Sequence, residues 1–150
     1  PEESEAFNTY LREYQLSLIF LVAPTTDNQR LELILQEASG FLYCVAVKGV
    51  TGTKSPEIME IDARVKEIKS QTTLPVATGF GIRTSEQASK LAEFCDAIVV
   101  GSAIVDIIAS SVEHEPYVGD DVVNSVHEFI TDLSDSIKDT TIHDFSTRAD

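Results

Sequence analysis

The stretch "LPVATGFGIRTSEQ", residues 74–87, changes character within a few residues. A short apolar run ends at Thr78, Gly79-Phe80-Gly81 follows, and Thr84-x-x-Gln87 then spells a capping box, the signature of a helix start. A strand therefore hands over to a helix through two glycines that flank one aromatic. Glycine at such a point allows a tight turn, and it also lets backbone N–H groups approach a ligand that a Cβ would push away.

Working outward, the same unit recurs. Four apolar runs, at 16–22, 41–47, 74–78 and 97–101, are short, β-rich and apolar on consecutive residues. This is the pattern of parallel strands covered on both faces. Helical stripes lie between them. Leu31, Ile34, Leu35 and Ala38 follow a capping Asp27; Ile58, Ile61, Val65 and Ile68 follow Ser55-Pro56; Ala88, Leu91, Ala92 and Cys95 follow the capping box. Phe7, Tyr10, Leu11 and Tyr14 predict an amphipathic helix before the first strand. Val122, Val126, Phe129, Ile130, Leu133 and Ile137 predict a longer one after the last, with an irregular or short helical piece over 102–118. Strand alternating with helix predicts βα units, a parallel sheet and right-handed crossovers. Four strands cannot close the usual eight-stranded barrel, and an open four-stranded sheet would need cover for its two faces and edges, so the chain looks like half of something.

Composition bounds the function. The 150 residues are 43% hydrophobic, which predicts a globular domain. A net charge of -14 argues against nucleic acid or an anionic membrane as partner. Ten acidic and two basic side chains fall in residues 111–150, read as a solvated face or tail. No apolar run approaches the roughly 20 residues of a membrane helix. "PEESEAFNTY" has neither the basic region nor the apolar stretch of a signal peptide, and it lacks an initiator Met, as a processed form or a fragment would. Cys44 and Cys95 sit in apolar runs and read as buried free thiols of a reducing compartment. His114, His127 and His143 show no ligand spacing, and no metal site is expected.

Glycine closes three consecutive strands: "KGVTG" brings Gly49 and Gly52, "GFG" brings Gly79 and Gly81, and "GSAIV" brings Gly101 ahead of Ser102. The last opens a short apolar helix, whose free N–H groups and positive dipole end suit a phosphate. In (β/α)8 barrels such a site is frequently built from the loops after strands 7 and 8 plus a short extra helix. The four strands then correspond to numbers 5 to 8.

Taken together, "IFLVAPTTDNQRL", "YCVAVKGVTG", "PVATGFGIRTSEQ" and "AIVVGSAIVDII" resemble the C-terminal half of the tryptophan synthase alpha chain family, in order over residues 1 to about 109. The resemblance implies a (β/α)8 TIM barrel, half of it present over residues 1–138, with 139–150 as a tail. It implies a lyase that cleaves indole-3-glycerol phosphate by retro-aldol chemistry into indole and glyceraldehyde 3-phosphate, in tryptophan biosynthesis. It puts the substrate phosphate on Gly52, Gly81, Gly101 and Ser102, and an indole pocket on Leu21, Tyr43 and Phe80. Gly49 and Thr51 fall in the family's mobile loop, where the threonine bonds the catalytic aspartate on closure. Pro24 to Asn28 fall where the family approaches its beta chain. The family's catalytic glutamate and aspartate belong to the N-terminal half, which these residues do not match, so no catalytic residue is expected here and these residues alone are expected to be inactive. Lys48 departs from the family's usual residue ahead of "GVTG". No cofactor is implied, since pyridoxal phosphate belongs to the partner beta chain. The expected compartment is the cytoplasm, or the plastid stroma in a plant. A non-catalytic phosphate-binding half-barrel and another sugar-phosphate barrel enzyme, such as an isomerase, remain open, as does a homodimer that completes the sheet.

Overall fold

The computed structural model describes residues 4–45, 56–79, 81–112 and 119–147. Their order is α1 (Ser4–Glu13), β1 (Phe20–Val22), α2 (Asn28–Glu37), β2 (Leu42–Cys44), α3 (Pro56–Lys69), β3 (Val76–Thr78), α4 (Ser85–Ala92), β4 (Ala97–Ile98), α5 (Ser102–Val112) and α6 (Gly119–Thr147). The four strands form one parallel sheet in the order β1-β2-β3-β4. The strands are shorter than the apolar runs that announced them, although single ladder bonds continue past their ends, from Val45 N to Val22 O (2.8 Å) and from Val99 N to Thr78 O (2.8 Å).

Chain order and sheet order coincide, and that decides the architecture. A doubly wound sheet reverses its strand order at a switch point and carries helices on both faces. A sheet that steps always to the same side puts every right-handed crossover on the same face. Successive side chains then alternate between a covered and an uncovered face. The registers place Phe20, Leu42 and Val76 in one row, and Val22, Cys44, Thr78 and Ile98 in another. From these rows Val22, Leu42, Cys44 and Val76 join Leu31, Ile34, Ile61, Val65, Ile68 and Leu91 of the helices in one core. Leu21, Tyr43, Ala77 and Ala97 form the row between, on the opposite face. There Leu21 is 64% exposed, and Ala97 is exposed too. The apolar runs suggest cover on both faces, but among the described residues helices cover one face only, and the other is the face a barrel turns inward.

The helix starts were legible. Asp27 Oδ1 accepts from Arg30 N (2.8 Å) as the cap of α2, and Thr84 with Gln87 forms the reciprocal capping box of α4. The α3 stripe is buried throughout. The α1 stripe is not: Phe7, Tyr10 and Tyr14 point outward, and polar Asn8 is the buried residue, its Nδ2 donating to Glu37 O (2.9 Å) and Glu37 Oε2 (2.8 Å) on α2. Of the irregular or short helical piece expected over 102–118, residues 102–112 form a regular helix. Helix α6 packs on α4 and α5, buries Val122 and Leu133, leaves Ile130 exposed, and runs to Thr147, into the 139–150 stretch expected as a tail. No helix among the described residues is long and apolar enough to cross a membrane.

Candidate functional site

At the C-terminal ends of β2, β3 and β4 lies a cavity of about 170 Å³, lined by Tyr43, Gly79, Gly81, Ile82, Val99, Gly101 and Ser102. Each wall has a local cause. Gly79 is buried against β4: a Cβ there would stand 2.1 Å from Val99 O, so only glycine lets the two strands approach. Gly81 adopts φ 65, a left-handed conformation that turns the chain away from the strand and toward the α4 cap. The Tyr43 hydroxyl donates to Gly79 O (2.9 Å), tying β2 to this turn from the uncovered face of the sheet.

The third wall is the start of α5. Gly101 O accepts from Ile104 N (3.0 Å) and Val105 N (3.1 Å), which makes Gly101 the cap, with Ser102 as the first helical residue. The leading N–H groups of a helix have no intrahelical acceptor and carry its positive partial charge. A Cβ on Gly101 would meet nothing within 4 Å, so the approach to those groups is open. None of the lining side chains is charged. Backbone N–H groups, a hydroxyl and a helix dipole can hold an anion; they cannot move protons as positioned carboxylates do.

The acids outside the cavity have other work. Asp27 caps α2, and Glu86 sits exposed in the first turn of α4. Asp96 accepts from Val76 N (2.8 Å) and pairs with Lys69 Nζ (2.8 Å), at the opposite end of the sheet from the cavity. Cys44 and Cys95 are free thiols. Burial raises both: Cys44 is held up by desolvation, partly offset by the Arg64 guanidinium, and Cys95 is pushed up to about 12. The described residues contain no group of three potential metal ligands.

The family profile described as tryptophan synthase alpha chain matches residues 1–135. The chain belongs to the tryptophan synthase alpha chain family. The alpha chain of Zymomonas mobilis is 42% identical over 142 residues, covering 95% of this chain and 52% of that relative. The alpha chain of Novosphingobium aromaticivorans is 48% identical over 109 residues, covering 73% and 41% respectively. A crystal structure of the alpha subunit from Legionella pneumophila superposes with a TM-score of 0.77 at 30% identity, covering 93% of this chain and 49% of that one. The chain thus spans about half the length of the curated relatives it matches, and its four-stranded sheet is half of the alpha chain's TIM barrel.

Against this frame of alpha chains, Gly81, Gly101, Ser102 and Tyr43 converge on one cavity. Leu21 is Tyr43's register partner and shares its sheet face, but it does not line the cavity. Gly49, Thr51, Gly52 and Phe80 lie outside the described residues. Sequence reasoning missed Ile82 and Val99 as lining residues. Both adjoin the glycine motifs, and nothing in an apolar residue's type separates a cavity wall from a core contact.

Proposed function

We propose that these residues are the phosphate-binding half of an alpha chain that cleaves indole-3-glycerol phosphate to indole and glyceraldehyde 3-phosphate. The observation that carries this reading is the uncharged cavity where the Gly81 turn meets the Gly101-Ser102 start of α5. The phosphate accepts from the leading N–H groups of α5 and from Ser102, while Tyr43 and Leu21, on the sheet face that lies inside a closed barrel, border the indole, a role that the family resemblance extends to Phe80. The family resemblance adds Gly52 to the residues that meet the phosphate, and assigns Gly49 and Thr51 to the family's mobile loop.

Retro-aldol cleavage breaks the carbon–carbon bond between the indole ring and the glycerol side chain. A proton must reach the ring carbon and another must leave a side-chain hydroxyl. Such positioned acid–base groups contribute about 10²–10⁴-fold each. The lining offers no carboxylate, and its one phenol, Tyr43, already donates its proton to Gly79 O; the family resemblance assigns the acid–base pair to the N-terminal half of the barrel. The role of this half is to anchor the phosphate, so that remote binding energy holds the scissile bond in place. The product indole passes to a beta chain, which carries the pyridoxal phosphate.

Indole release tests the reading. These 150 residues alone are expected to bind inorganic phosphate and release no indole, and joining them to an alpha-chain N-terminal half restores release. Turnover by the 150 residues alone contradicts the assignment of the carboxylates. Phosphate binding without turnover in the joined chain favours a non-catalytic phosphate-binding module, a reading that the uncharged lining also suits.

A further inference from the structure

Two walls of the cavity, the Gly81 turn and the start of α5, belong to different βα units, and one side-chain pair spans them. Arg83 follows the cavity-lining Ile82, and its backbone is fixed by the bond from its N–H to Gln87 Oε1 (2.8 Å), the side chain that also closes the α4 capping box. From this anchored position its Nη1 reaches Asp106 Oδ2 at 2.7 Å. Asp106 lies four residues after Ser102 on α5, so the two share a helix face one turn apart.

We propose that Arg83 and Asp106 form a strap that positions the N-terminus of α5 against the Gly81 turn, setting the geometry in which both walls meet a phosphate. The inference rests on the phosphate reading of the cavity. Arg83 is a positioning residue here, because the lining of the cavity contains neither member of the pair. Both side chains are more than half exposed, 59% and 54%, so the pair adds little to global stability. Its effect belongs in the alignment of the two turns, where small displacements change hydrogen-bond distances to a bound anion.

The test is titration of inorganic phosphate into the full alpha chain by calorimetry, beside thermal melts without ligand. Arg83→Gln and Asp106→Asn should each weaken phosphate binding by about twofold to fivefold. The double variant should be no weaker than the weaker single variant, because the strap is cut only once. The charge-swapped Arg83→Asp/Asp106→Arg chain should recover affinity, with melting temperatures unchanged throughout. Tighter binding in Asp106→Asn would mean that Asp106 merely repels the anion, and would overturn the strap. So would losses that add in the double variant, a swapped chain as weak as the singles, or affinity that falls only in step with melting temperature. An unaltered chain that binds no phosphate would overturn the site reading itself, and the strap with it.

Discussion

Gly79, Gly81 and Gly101 look alike in the sequence, yet each is glycine for a different reason. Gly79 is demanded by Val99 O, Gly81 by its left-handed φ, and only Gly101 stands in open space without a positive φ. Gly101→Val should therefore lower phosphate affinity at least tenfold, about 1.4 kcal/mol, with little change in melting temperature. Gly79→Ala should instead destabilise the fold by about 1–3 kcal/mol through overpacking, which denaturant unfolding would read. Unchanged phosphate affinity in Gly101→Val would remove Gly101 from the site. The motif was legible as strand, turn and helix start; the separate causes were not, because they depend on which backbone lies alongside. Cys44 is the buried thiol that the sequence suggested, while Cys95 is only partly buried, and its partial burial has a consequence in pH. Cys95 is raised from 9.0 to about 12, so between those values the unfolded chain loses a proton that the folded chain keeps. Stability from this thiol is complete below about pH 9 and declines as pH rises toward 12. Cys95→Ala should flatten that part of the alkaline stability curve relative to the unaltered chain; parallel curves would exclude the linkage.

At the scale of elements, the helices whose starts carry caps came through as read, since a cap and a periodic stripe report on the same short stretch. Helix α1 did not. Its aromatic stripe meets no core among the described residues, and the element is held to α2 through Asn8 and Glu37 instead. Periodicity identifies a helix and its apolar face, but it cannot say whether a neighbour is present to cover that face. Asn8→Ala should cost about 1–2 kcal/mol, because it leaves the acceptors on Glu37 without their buried donor. Tyr14→Ser, at a side chain 74% exposed, should change stability by no more than about 0.5 kcal/mol. Chemical denaturation of the two variants distinguishes the assignments. A larger loss from Tyr14 than from Asn8 would mean that α1 docks through its aromatic side.

The whole molecule is a sheet wound in one direction. Regular alternation of strand and helix made its parallel strands legible, but a doubly wound sheet alternates in the same way, so the winding was legible only through the glycine loops and the family resemblance they carry. What alternation could not show was the uncovered face. Consecutive apolar residues suit a strand between two helix layers and equally a strand between helices and a barrel interior. The open row of Leu21, Tyr43 and Ala97, with edges at β1 and β4 that pair with no further strand among the described residues, has a predictable consequence for a preparation of these 150 residues alone. Parallel edges and bare apolar faces are pairing templates. Two copies, each offering its β4 edge to the other's β1, contain the eight strands that close a barrel, so the expected species is a homodimer near twice 16.4 kDa. Each copy carries a net charge of -14, so the association works against repulsion and should tighten as salt screens it. Sedimentation at low and high salt measures both the mass and this sign. An added alpha-chain N-terminal half offers the same edges a partner of the family's own making and should displace the second copy, giving a one-to-one species that releases indole. A cooperatively folding monomer at every salt concentration would show that the open face needs no partner, and would remove the ground for a shared barrel.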